Sequence, residues 1–69
     1  MNRHPDWINP EVDLVGVDGN AGAIMGTVSR GLRRAGNPKE VIDAFREEAM
    51  SGDYDHLLST SMLYAGMME

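Results

Sequence analysis

The residues able to do chemistry in this sequence fall into three groups. In the first, Asp53 and His56 stand one helical turn apart, with Asp55 adjoining the histidine. A carboxylate that close to an imidazole is a pattern used for proton transfer. The competing use is structural, and it is favoured: Asp53 is a preferred helix N-cap, which leaves His56 on an exposed first turn. Ser59 and Ser61 follow with no base at a useful spacing, and no cysteine is present to act as a thiol nucleophile. A metal site needs three or four converging ligands. His4 and His56 are far apart, and the carboxylates are scattered. No catalytic residue, metal ligand or cofactor is expected, and the chain does not read as an enzyme.

The second group suits anions. The stretch "VGVDGNAGAIMG", residues 15–26, runs from an apolar pair through Asp18-Gly19-Asn20 into a helical pattern. Free amides and the positive dipole end at a helix start attract phosphate. Farther along, Arg30, Arg33 and Arg34 add guanidinium donors of matching geometry. As a nucleotide loop the stretch is incomplete. It lacks the lysine and Ser/Thr of a P-loop, it is not G-x-G-x-x-G, and Asp18 repels an anion. It also lacks the alternating oxygen ligands and closing glutamate of a calcium loop. A turn followed by a helix cap describes it better. Gly19, Asn20, Arg30, Arg33 and Arg34 remain the candidate ligand-binding residues.

The third group is acidic. Four of the six basic residues, Arg30, Arg33, Arg34 and Lys39, fall within ten positions. Six acidic residues then follow between Glu40 and Asp55, opposed only by Arg46. Such asymmetry is usually no more than solvated helix faces, and it also favours head-to-tail or two-fold contacts. The net charge of −5 disfavours direct binding of nucleic acid. An acidic protein can instead imitate nucleic acid and occupy a basic groove on another protein. Glu40, Asp43, Glu47, Glu48 and Asp55 form the candidate face for such a partner.

Helices must position all three groups. Residues 1–12 hold Pro5 and Pro10, show no period, and read as an irregular arm, with Trp7 and Ile8 as the large apolar residues able to pin it. Residues 13–69 form the single helical domain. "DLVGV", residues 13–17, is a short strand or an extended lead-in; a lone strand would need the arm or a second copy beside it. A first helix is expected over about 21–35, capped by Asn20 and ended by Gly36, with Ala21, Ile24, Met25, Val28, Leu32 and Ala35 at the helical period. A second is expected over about 38–50. Asn37 is its cap, Pro38 lies in its first turn, Glu40 stands three after the cap, and Val41, Ile42, Phe45 and Ala49 face inward. A third runs over about 54–66, capped by Asp53, with Tyr54, Leu57, Leu58, Ser61, Met62 and Ala65 inward and Gly66 weakening its end. Very short loops fold these helices back on one another. The fold class is all-α: an extended lead followed by a compact three-helix bundle.

Gly22, Gly26 and Gly31 all fall inside the first helix, and each costs roughly 0.5–1 kcal/mol relative to alanine. Something should compensate. At about 100° per residue, Gly22, Gly26, Ser29, Arg30 and Arg33 cluster opposite the apolar stripe. Gly22, Gly26 and Ser29 form a smooth strip suited to self-association. Size points the same way. A chain of 69 residues without cysteine has a marginal core, and oligomerisation is the common remaining source of stability. Six methionines, with Met62, Met67 and Met68 near the C-terminal end, fill the core or provide an adaptable binding surface.

The "DLVGVDGNAGAIMGTVSRGLRRAGN" and "EVIDAFREEAMSGDYDHLL" segments resemble a group of small uncharacterised phage and bacterial proteins. These carry a "VG-DGNA-AI-G" opening, an "ALRRAG"-like helix end and an "EA-SGDYDHLL" signature. The resemblance covers residues 13–60 and departs at Gly22, where the pattern has an aromatic residue. It implies a phage-type setting, in which small acidic non-catalytic proteins often inhibit host defence. Some bind a defence protein such as a nuclease, and others form homo-oligomers that sequester a nucleotide signal. The expectation is an anti-defence binding protein for a nucleotide-like, phosphate-bearing ligand. The alternatives are an acidic protein–protein inhibitor and an accessory phage protein. No apolar run approaches the roughly 20 residues of a membrane span, and "MNRHPDWINP" is not a secretory signal. The expected location is cytoplasmic, the host cytoplasm if phage-encoded.

Overall fold

Each helix begins and ends where the sequence supplies the means. The computed structural model describes residues 2–68, so Met1 and Glu69, the outer limits of the expected arm and domain, lie outside the described residues. The helices are α1 (Ala21–Arg34), α2 (Lys39–Ala49) and α3 (Tyr54–Ala65). Asn20 caps α1 by accepting the Gly22 amide at 2.8 Å, and its own amide donates to Asp18 at 2.9 Å. Asp53 caps α3 by accepting the His56 amide at 2.9 Å. Gly36 and Gly66 take left-handed φ values of 92° and 87°, a conformation that suits residues without a Cβ. The next amide in each case reaches back over the helix end: Asn37 to the Leu32 carbonyl at 3.0 Å, Met67 to Met62 at 3.1 Å. These are paired C-terminal stop motifs. Gly66 therefore ends α3 cleanly rather than weakening its last turn.

Two local expectations are overturned. Asn37 does not cap α2; that position belongs to Pro38, which makes no side-chain cap bond. Asn37 turns inward instead and is 7% exposed, because its amide meets the arm. The inner face of α3 keeps the expected Leu57, Ser61 and Ala65 but is rotated away from Tyr54 toward Tyr64. Leu57, Thr60, Ser61, Tyr64 and Ala65 are buried, while Tyr54 is 45% exposed and donates its hydroxyl to the Gly19 carbonyl. Leu58 and Met62 are half-buried. The rotation brings Tyr64 against Phe45, ring centroids 5.3 Å apart and tilted by 48°. Such a pair adds about 0.5–1.5 kcal/mol beyond its buried area.

The core gathers Ile24, Met25, Val28 and Leu32 of α1, Val41, Ile42, Phe45 and Ala49 of α2, and Leu57, Tyr64 and Ala65 of α3. No strand occurs among the described residues. The "DLVGV" segment is a turn: the Val17 amide donates to the Leu14 carbonyl at 3.1 Å, and Val15 is 81% exposed.

The arm lies over the ends of α1 and α3. Trp7 Nε1 donates to the Tyr64 carbonyl at 3.0 Å, the His4 amide to the Tyr64 hydroxyl at 2.8 Å, and the Val12 amide to the Ala65 carbonyl at 2.9 Å. Arg3 stacks 3.8 Å over the Trp7 ring. Its guanidinium also donates to the Leu63 and Met68 carbonyls. Trp7 pins the arm by its side chain, as expected, but Ile8 does so through its backbone, with 47% of the residue exposed. Val12 sits against Gly31 so closely that a Cβ there would overlap its Cγ2. The compensation for this glycine is the chain's own arm.

Candidate functional site

The C-terminal half of α1 and one side of α2, from Lys39 to Arg46, face each other across a groove of about 510 Å³. The tight joint between them creates it. Gly36 stops α1 and Pro38 starts α2, so the two helices diverge from Asn37. Ser29 and Arg33, four apart, line the α1 side; Lys39, Asp43 and Arg46, at helical spacing, line the α2 side, and Ile42 adds an apolar wall. Asn37 closes one end.

The groove is cationic within an acidic protein. Arg46 Nη1 donates to Ser29 Oγ at 3.4 Å and so bridges the two helices. Ser29 is 7% exposed, and its hydroxyl keeps a hydrogen for a further acceptor. Lys39 and Asp43 pair at 2.8 Å. The hydrogen bond to the Asp43 carboxylate, with its charge, raises the Lys39 pKa above 10.5, so the ammonium stays charged through neutral pH. Among the described ion pairs, Arg33 and Arg46 have no carboxylate partner. The start of α2, without a side-chain cap, adds its positive dipole end beside Lys39. Three cations, one carboxylate, a hydroxyl and an apolar wall suit a phosphate-bearing ligand.

The structure divides the residues singled out from sequence. Arg33 lies in the groove. Arg30 is exposed, with its guanidinium folded back toward Thr27 and Gly26. Arg34 lines a separate hollow of about 390 Å³ beside Ile8, Pro10 and Glu11. Gly19 and Asn20 sit at the far end of α1, roughly 20 Å away at the helical rise. The Gly19 carbonyl is held by Tyr54, and the Asn20 side chain is used as the cap. One chain does not bring this turn to the arginines. Lys39, Asn37 and Arg46 were not among the expected ligand residues. The spacing of Lys39, Asp43 and Arg46 was the available signal.

The other candidate faces are also resolved. Gly22 is exposed and Gly26 half-buried, but Ser29 is buried against α2 and does not continue their strip. It lies at the edge of the apolar stripe, and α2 covers that edge. Glu47 and Glu48 line a shallow hollow of about 340 Å³ with Ala44 and Ser51. Glu40 and Asp55 are exposed, while Asp43 turns to the cationic groove.

His56 joins α2 to α3. Its Nε2 lies 2.8 Å from Glu48 Oε2, 2.9 Å from the Glu48 carbonyl and 3.3 Å from Ser51 Oγ. A serine–histidine–carboxylate relay needs the two partners on opposite ring nitrogens. Here they share one nitrogen, so the cluster ties the interhelical joint and has no relay. Among the described residues, no three His, Asp or Glu side chains are placed to hold a metal ion. No described helix is long and apolar enough to cross a membrane. No family model, curated protein or solved structure matches this chain.

Proposed function

We propose that this is a small, non-catalytic binding protein that holds a nucleotide-like, phosphate-bearing ligand in the groove between α1 and α2. The observation that carries the reading is the meeting of Arg33, Lys39 and Arg46 around Ser29 in a chain of net charge −5. In an acidic protein, a groove lined by three cations and one carboxylate is a specific feature. The phage-type resemblance supplies the setting: sequestration of a nucleotide signal used by host defence. Self-association belongs to the same proposal. The exposed Gly22, with Gly26 once the Arg30 guanidinium swings aside, offers a smooth strip for a second copy. Antiparallel packing of two α1 helices on this strip would set another chain's Gly19–Asn20 turn toward the C-terminal half of α1. Thermal melts against cyclic dinucleotides and linear nucleotides test the reading. A ligand at 100 times its Kd stabilises by about 2.7 kcal/mol, which in a domain this small raises Tm by roughly 10 °C or more. No shift with any member of the panel, in folded protein, removes the proposal.

A second reading is supported by the Glu47–Glu48 hollow next to Met50, which is 63% exposed. Acidic groups beside an apolar side chain suit a basic protein partner, such as a defence nuclease. Charge reversal at Glu40 and Glu47 leaves the His56 joint intact. Partner capture that survives this reversal counts against the second reading.

A further inference from the structure

Asn37 lies where three segments meet. Its backbone amide closes the end of α1 on the Leu32 carbonyl at 3.0 Å, and its neighbour Pro38 starts α2. Its side chain grips the arm from both sides. The Ile8 amide donates to Asn37 Oδ1 at 2.7 Å, and Asn37 Nδ2 donates to the Ile8 carbonyl at 2.9 Å and to the Leu32 carbonyl at 3.0 Å. The same residue lines the groove with Arg33 and Lys39, which flank it in sequence. Turning this amide to suit a different groove geometry breaks the arm's seat. Lifting the arm breaks both Ile8 bonds at once and leaves Asn37 Nδ2 only its bond to the Leu32 carbonyl.

We propose that the N-terminal arm is a strap that regulates the groove. Its seating through Ile8 fixes the Asn37 amide and with it the placement of Arg33 and Lys39, so arm seating and anion binding reinforce one another. The inference rests on the groove being an anion site. Linkage makes the effect reciprocal: if the seated arm favours the ligand, the ligand favours the seated arm by the same factor. The molecule carries its own reporter. Trp7 is the one tryptophan, it is half-buried within the arm, and it does not line the groove.

The full chain is titrated with inorganic pyrophosphate while heat of binding, Trp7 fluorescence and exchange of the His4 and Val12 amides are followed. The expected result is a change in Trp7 emission with the same midpoint as binding, and arm amides exchanging several-fold more slowly at saturation. Ile8→Pro removes the amide that Asn37 accepts without altering a groove side chain. It is expected to weaken pyrophosphate binding about 5-fold or more. Binding that leaves Trp7 and the arm amides unchanged overturns the strap and leaves the anion groove standing. No binding of pyrophosphate overturns the groove reading and the strap with it. Should Ile8→Pro fail to fold, the wild-type titration alone decides.

Discussion

Gly31→Ala places two effects of opposite sign in competition. Alanine in a helix interior gains about 0.5–1 kcal/mol over glycine. At this position the new Cβ would overlap Val12 Cγ2 and lie 3.7 Å from Pro10 Cβ. Val12 cannot withdraw easily. Its β-branched side chain is stiff at χ1, and its amide is bonded to the Ala65 carbonyl at 2.9 Å. Overpacking of this kind costs about 1–3 kcal/mol. The net expectation is a loss of about 1 kcal/mol, equivalent to roughly 4–8 °C in Tm for a domain this small. In a Val12→Ala background the obstacle is gone, and the same glycine substitution should stabilise by about 0.5–1 kcal/mol. The two changes are thus coupled with a reversal of sign. Urea unfolding followed by Trp7 fluorescence measures all four corners of the cycle. Gly31→Ala raising the stability of the otherwise wild-type chain by the full helix-propensity gain would refute the seated arm. An equal loss in both backgrounds would show that the glycine serves some other surface.

Three further outcomes follow from the same contacts. Asn20→Ala removes the cap on the Gly22 amide and should lower stability by about 1 kcal/mol in urea unfolding, with α1 otherwise intact. Gly26→Ala places a Cβ 3.2 Å from the mobile end of Arg30, so each chain should gain about 0.5–1 kcal/mol; light scattering should at the same time show weaker self-association, and an unchanged mass at every concentration contradicts a role for this strip. Ser61 Oγ is buried without a hydrogen-bond partner among the described residues, so Ser61→Ala should raise stability by about 1 kcal/mol in thermal unfolding, and a loss would reveal a partner for the hydroxyl.

The three helices were legible because their signals are local. Asn20, Asp53 and Gly36 act on amides and carbonyls within a few residues, and the apolar periods of α1 and α2 are unbroken. The face of α3 was harder to read. Buried Thr60 and Ser61 interrupt its apolar pattern, and aromatic Tyr54 drew the inward assignment that belongs to Tyr64. Asn37 followed a capping pattern that was correct in residue type and wrong in use. Its true partner, Ile8, is 29 positions away, and no local pattern encodes that distance. The groove was half legible for the same reason. Arg33 stood in an evident basic run, whereas Arg46 stood alone among acids until folding set it against Ser29. Ser29 read as part of a smooth exposed strip because a single-helix wheel cannot show that α2 covers its edge.

Binding of phosphate-bearing ligands to wild-type protein and to single arginine variants tests the central claim most directly. Titration calorimetry with the nucleotide that gives the largest thermal shift should show saturable binding to the wild type. Arg33→Ala and Arg46→Ala each remove a charged hydrogen-bond donor to the anion, worth about 1.5–3 kcal/mol, and should weaken binding about 10- to 100-fold. Arg34→Ala, which alters the separate hollow beside the arm, should leave the affinity unchanged. Binding lost on Arg34→Ala and retained in the other two variants, or no binding to the folded wild-type chain, would contradict the assignment of the groove.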